Sequence, residues 1–143
     1  MDFPTLVSDL GRRLGLSLNL EENGSCGVTF GDDEIGMELV DGRLFLISHL
    51  ASSLGHETDC ARLLNAAHMG LESGFANFGI DEAAGEFTLT RTLEGSMSPE
   101  AFEKALVLFV RSVHYWKAWL TLPASEQSAQ IEPFDLNFTM LRV

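Results

Sequence analysis

The side chains of this chain with the means to do chemistry are four histidines, two cysteines and a short acidic run. Two histidines three or four residues apart on a helix could share a metal, yet none of His49, His56, His68 and His114 has a neighbour at that spacing. Each reads as an ordinary surface or packed residue. Cys26 and Cys60 form no CxxC pair, and no sequence pattern places a histidine to activate either as a thiolate nucleophile. They are expected to be reduced, packed thiols. Asp32, Asp33 and Glu34 lack the alternating oxygen ligands of a calcium loop and read as turn chemistry. Neither a phosphate-cradling glycine loop nor a GxSxG nucleophile elbow occurs. The expectation is a protein that is not an enzyme, with no metal and no cofactor, whose informative residues are apolar.

Those apolar residues fall into elements, of which the clearest is the hairpin EIGMELVDGRLFLI at residues 34–47. Asp41-Gly42 is a two-residue turn that readily takes positive φ, and it sets Leu39 opposite Leu44 and Met37 opposite Leu46. That face is core. The other carries Val40, Phe45 and Ile47 beside Glu38 and Arg43, half apolar where a sheet with one wet side is mostly polar. It is expected to be covered, by a helix of this chain or by a segment of another protein.

Before this hairpin, Phe3, Leu6, Val7, Leu10 and Leu14 recur at spacings of three and four, predicting a helix capped by Asp2 and stopped by Gly15. Leu16, Leu18 and Leu20, then Cys26, Val28 and Phe30, alternate with other residues and predict a second hairpin. A three-residue loop at 22–24 pairs Leu20 with Cys26, Leu18 with Val28 and Leu16 with Phe30. Gly31-Asp32-Asp33 then turns the chain into the hairpin above. A second helix is predicted from about Thr58, through Leu63, Leu64 and Ala67, to between Gly70 and Gly74. Ala76, Phe78 and Ile80, then Phe87, Leu89 and Leu93, predict a third hairpin.

Ser98-Pro99-Glu100 starts a last helix that runs to Leu122, where Pro123 stops it. It bears two apolar stripes, one through Phe102, Phe109, Val113 and Trp116 and another through Leu108, Tyr115 and Trp119. That is more than a helix on one sheet needs, and it fits either a deep groove in the same domain or a subunit interface. Residues 124–130, ASEQSAQ, read as a polar linker. In the tail at 131–143, Phe134, Leu136, Phe138 and Met140 alternate with polar residues, the period of a strand with one apolar face.

The fold class expected is α+β: a twisted antiparallel sheet packed with three helices in the order α-β-β-β-β-α-β-β-α, in a domain spanning residues 1–123. At 143 residues and 45% hydrophobic, the chain suits one domain with a real core. Its formal charge of -12, from 21 acidic against 9 basic residues, repels phosphate backbones and anionic headgroups, so no nucleic acid and no membrane partner is expected. No apolar run approaches the roughly 20 residues of a bilayer span, and MDFPTLVSDLG lacks a basic stretch followed by a hydrophobic one. A cytoplasmic protein without a signal peptide is expected.

The element order, with the LGL at 14–16, CGVTF and IGMELV in the hairpins, LLNAAHMGLESGFANFGID after residue 62 and FEKALVLFVRSVHYW in the last helix, resembles the class I type III secretion chaperones, the Tir-chaperone-like (CesT-type) family. The resemblance covers approximately residues 3 to 122. It implies a bacterial cytoplasmic homodimer that, without ATP, binds the N-terminal region of a secreted effector in extended form. It also points to the second helix and the strand after it as the dimer contact, hence Leu63, Leu64, Phe75 and Phe78.

From the residue pattern, the client-contact candidates are Val40, Phe45 and Ile47 on the outward hairpin face, with Leu6 and Leu10 as a groove wall. The double stripe adds Tyr115 and Trp119 as interface candidates, and the tail is expected to lie as a strand on a partner subunit or in the client site. Two other functions fit. One is a regulator of the same fold that sequesters a secretion or transcription factor. The other is a small enzyme or ligand-binding domain with a pocket between the sheet and the last helix, lined by Phe109, Tyr115 and Trp116.

Overall fold

The first helix, α1, spans Phe3–Leu14 and is defined at both ends by its own residues. Asp2 is extended, and its Oδ1 accepts a hydrogen bond of 2.9 Å from the Thr5 N–H, satisfying one of the donors a helix start leaves over. Hydrogen bonding from the Thr5 side chain, and after it from the Thr5 backbone N–H, holds the Asp2 carboxyl below its ordinary pKa. At the other end Gly15 turns left-handed, and the Leu16 N–H reaches back to the Gly11 carbonyl at 2.8 Å. The computed structural model describes residues 1–20 and 23–122. The linker at 124–130 and the tail residues Phe134, Leu136, Phe138 and Met140 lie outside them.

The expected pairing of residues 16–20 with the strand after them does not occur. That stretch folds back on α1, where Leu18 is buried against Gly11 so closely that a Cβ at Gly11 would stand 2.9 Å from the Leu18 Cβ. Glycine at position 11 makes room for the leucine. The strand that was to pair with it, β1 at Ser25–Phe30, pairs instead with β2 at Asp33–Val40, setting Val28 against Ile35 and Cys26 against Met37 across a turn at Gly31-Asp32. The element order is therefore α-β-β-β-α-β-β-α, with one strand fewer than expected before the second helix.

β2 and β3, Arg43–Ser52, form the predicted hairpin. Asp41 and Gly42 both take positive φ, 50° and 77°, and Leu39 opposes Leu44 as Met37 opposes Leu46. After β3 comes α2, Cys60–Ala67, then β4 at Asn77–Asp81, β5 at Glu86–Leu93 and α3 at Pro99–Thr121. The five strands are all antiparallel and lie in the order β1-β2-β3-β5-β4, with a bulge in β3 at His49/Ala51.

α2 ends earlier than the predicted 70–74. Met69 takes φ 57°, and Gly70, Gly74 and Phe75 are also left-handed, so the helix gives way at Ala67 to a compact loop. Within that loop Phe75 N–H donates to the Gly70 carbonyl and the Ser73 hydroxyl to the Ala76 carbonyl.

α3 begins as predicted, Ser98 capping the Ala101 N–H at 3.1 Å with Pro99 in the first turn. All three helices join the inward strand residues in one core. At its centre Trp116 is fully buried, packs edge-on against Phe78, Tyr115 and Trp119, and donates from Nε1 to the Glu72 carbonyl at 2.9 Å.

The left-handed Gly74 lies against α3, where an added Cβ would collide with the Ser112 hydroxyl and stand 3.0 Å from the Leu108 side chain. Gly74→Ala is expected to destabilise the chain by about 3 kcal/mol through strain and overpacking, read as a lower urea midpoint at unchanged slope.

Candidate protein-binding surfaces

Alternation along β2 and β3 sends Ile35, Met37, Leu44 and Leu46 into the core and turns Val40, Phe45 and Ile47 to the other side of the sheet. Among the described residues no helix or loop covers that outer side: Val40 is 43% and Ile47 37% exposed, and Phe45 is half-buried. The structure thus brings these three predicted contact residues together on one open face. Beside them Gly27 opposes Gly36 across β1 and β2, leaving a furrow of about 550 Å³ whose lining includes Thr29, Glu34, Ile47, His49 and Lys117. At the far side of the sheet His49 Nε2 lies 3.1 Å from Asp81 Oδ2, and that bond, ahead of the backbone bond from Ala84, holds the Asp81 carboxyl below its ordinary pKa. A trough that mixes apolar residues with a polar and charged rim suits an extended segment with side chains to seat.

Leu6 and Leu10 lie elsewhere, in the core between α1 and α3, each 2% exposed. They also floor a cleft of about 380 Å³ with Phe102 and Pro99, rimmed by Asp9, Arg12 and Arg13. Arg13 is tied across it to Glu103 at 3.0 Å, and Arg12 pairs with Asp9 one turn before it. The two leucines are therefore the bottom of this groove and part of the core at once.

A third surface is the most apolar. Leu64 of α2 is 70% exposed and Phe75, in the loop behind it, 53%, with Met69, Leu71 and Ile80 also exposed nearby in sequence. Leu63 faces inward and Phe78 packs on Trp116, so of the four residues expected on this side two are presented and two support them. A groove of about 240 Å³ runs between α2 and β4, lined by Cys60, Leu63, Leu64, Phe78, Ile80 and Phe87.

Behind the loop sits Arg91, half-buried on the helix side of β5, donating to the Gly74 and Ala105 carbonyls with its guanidinium 6.0 Å from the Phe75 ring. Burial lowers its pKa from the ordinary arginine value. Left-handed backbone at Met69 and Phe75 turns large apolar side chains outward, a placement that costs about 1 kcal/mol or more at each non-glycine residue. Sequence periodicity set Leu71 and Ile80 on the apolar sides of the second helix and third hairpin and passed over Met69; the bracketing Gly70 and Gly74 were the available signal that the helix ends there.

The last helix turns both of its stripes inward. Trp119 is buried and Tyr115 half-buried, each edge-on to Trp116, so the double stripe is explained by a deep seat within the chain's own domain. Phe109, Leu106 and Trp116 are fully buried and fill the space between sheet and α3 where a ligand pocket was considered. Among the described residues no three His, Cys, Asp or Glu side chains gather as a metal site, and no helix is long and apolar enough to cross a membrane.

Solved structures with this architecture include the ExsC-ExsE complex, 23% identical with a TM-score of 0.69 over 87% of this chain and 99% of that one. The HopA1-SchA chaperone-effector complex follows at 19% identity and 0.66, covering 80% and 91%. The Yersinia pestis type III secretion chaperone SycH, in complex with a stable fragment of YscM2, is similar at 16% identity and 0.64, covering 79% and 98%. At these identities the likeness is one of fold. No curated protein matches the sequence. The profile of the Tir chaperone protein (CesT) family matches residues 5–117, and with that match the chain belongs to this family.

Proposed function

We propose that the chain is a type III secretion chaperone that binds the N-terminal region of an effector in extended form and keeps it ready for export, working in the bacterial cytoplasm as a homodimer and without catalysis. The observation that carries this reading is the open outer face of the sheet. A five-stranded sheet buries one side under three helices and leaves Val40, Phe45 and Ile47 on the other with no cover among the described residues. An extended polypeptide is the natural occupant, since its main chain can pair with β1, an edge strand among the described residues, while alternate side chains enter the furrow or the α1–α3 cleft. Membership of a chaperone family and the chaperone-effector complex among the similar structures support the same reading.

For the dimer we propose the α2–β4 side, centred on Leu64 and Phe75, with Leu63 and Phe78 as the layer beneath. Tyr115 and Trp119 are assigned to the interior of each subunit. Exposed apolar side chains on a strained loop suit a surface that is buried on assembly.

Co-expression with candidate effectors tests the function: an effector N-terminal segment is expected to copurify, and its absence with every candidate from the native host would overturn the reading. Because Val40 and Ile47 are exposed, Val40→Asp with Ile47→Asp is expected to leave stability within about 0.5 kcal/mol per site while weakening client binding at least about tenfold. Leu6→Ala, in the core, should instead cost about 2–5 kcal/mol of unfolding free energy whatever its effect on binding.

Light scattering tests the dimer. The wild-type chain is expected at the mass of two copies, and the Leu64→Asp, Phe75→Asn variant at that of one. Asparagine tolerates the left-handed backbone at 75, so a fold defect is avoided. A variant that remains dimeric would move the interface elsewhere.

A further inference from the structure

Between α2 and β4 the backbone is left-handed at Met69, Gly70, Gly74 and Phe75. The glycines adopt this conformation freely, whereas Met69 at φ 57° and Phe75 at φ 63° each carry a Cβ that crowds the following carbonyl. Such residues persist there only where their surroundings impose it. The two ends of the loop also meet. A Cβ at Gly70 would stand 2.8 Å from the Phe75 Cα, and Phe75 N–H donates to the Gly70 carbonyl at 3.0 Å. Ser73 is buried inside, its hydroxyl donating to the Ala76 carbonyl at 2.7 Å, while Met69, Leu71 and Phe75 are exposed.

Two arginines hold this loop, one from each side. From α2, Arg62 makes a two-pronged pair with Glu72, Nη2 to Oε1 at 2.8 Å and Nη1 to Oε2 at 3.4 Å. Its guanidinium lies 5.2 Å from the Trp116 ring centre, and Trp116 Nε1 donates to the main-chain carbonyl of the same Glu72. Side chain and main chain of one loop residue are thus held by two residues that touch each other, a closed circuit through α2, the loop and α3. From β5, Arg91 Nη1 donates to the Gly74 carbonyl at 3.4 Å and to the Ala105 carbonyl of α3 at 3.5 Å, with the Phe75 ring centre 6.0 Å from its guanidinium. A planar fork meets carbonyl and ring together, at the place where two successive residues are left-handed. Both arginines are partly withdrawn from water, where such bonds are stronger than on an open surface.

We propose that Arg62 and Arg91 are positioning residues for assembly: by clamping the loop at 68–76 in its left-handed conformation they preset Met69, Leu71 and Phe75 for a second copy of the chain. The proposal rests on the dimer reading above for its role, and on the loop geometry alone for the clamp. A loosened loop presents the surface in only a fraction of molecules, and apparent affinity falls by that fraction. Each copy of a two-fold pair contributes one loop, so the loss enters twice. A loop correctly set in about a third of the molecules weakens the dimer about tenfold.

Amide hydrogen exchange tests the clamp in the Leu64→Asp chain, where a charge on an exposed α2 residue keeps a second copy off the loop. Adding Arg62→Met or Arg91→Met is expected to speed exchange of the Phe75 N–H at least about tenfold, with the amides of β3 unchanged. Unchanged exchange at Phe75 overturns the clamp. Faster exchange in β3 as well also overturns it, by making the arginines supports of the whole fold. The role is read from the dimer dissociation constant, by light scattering on dilution with Leu64 intact. Each methionine variant is expected to be at least about tenfold weaker than the wild type, with Arg91→Lys, which keeps a donor for the Gly74 carbonyl, in between. An unchanged constant beside a loosened loop overturns the positioning role. A wild-type chain that is a single copy at every concentration overturns the dimer reading and the role with it, while the exchange result stands, so clamp and dimer fail separately.

Discussion

The packing of Trp116 is the constraint on which the rest of the structure depends. One side chain on α3 reaches β4 through Phe78, the loop after α2 through the Glu72 carbonyl, and α2 itself through Arg62, whose guanidinium lies 5.2 Å from the ring centre and pairs with Glu72 at 2.8 Å. Edge-on aromatic pairs contribute about 0.5–1.5 kcal/mol each beyond the area they bury, and three converge on this ring. With α3 anchored across the inner side of the sheet, α1 and α2 pack on the same side, and among the described residues nothing covers the opposite side. The binding surfaces are consequences of a core that is satisfied on one side only.

Charge works in the same direction. The chain is strongly acidic, but its cations are spent on fixing elements to each other: Arg13 to Glu103, Arg62 to Glu72, Lys117 to the β1–β2 turn, Arg91 to the carbonyls behind Phe75. Outward near the furrow stand the carboxylates of Asp32, Glu34 and Glu38, with Arg43 on the same face paired to Glu94 at 3.8 Å. Such a rim keeps exposed apolar residues soluble by self-repulsion between copies while leaving a neutral or basic segment free to approach.

Much of this was legible in the sequence where a single residue type has a single use. Asp41-Gly42 set the hairpin register, Asp2 and Ser98 the helix starts, and the apolar outward residues of β3 the open face. Period-two alternation was ambiguous: Leu16, Leu18 and Leu20 read as a strand, but one buried leucine beside Gly11 accounts for the pattern as well. The double stripe of α3 did not say whether its second side met another subunit or the same chain, because burial has no sign in sequence. The exposed set at Met69, Leu71 and Ile80 was hidden for a different reason. The loop that carries Met69 and Leu71 has left-handed backbone at Met69 and Phe75, a conformation that propensity assigns to glycine and asparagine. Leu64 and Phe75 came from family resemblance, and the tail falls outside the described residues.

The strand order has a consequence for how the chain is made. β3 is paired on one side by β2 as soon as their hairpin leaves the ribosome, but its other neighbour, β5, ends at Leu93. Residues 53–93 must be synthesised first, which takes about 2–8 s at ordinary translation rates. Throughout that interval a ten-residue strand bearing Leu44, Leu46 and Leu50 has one bare edge in the nascent chain. Non-local pairing of this kind is also slow to close once the partner is available. A protein that shields the unfolded segments of others thus passes through a stage of its own birth in which its central strand needs shielding.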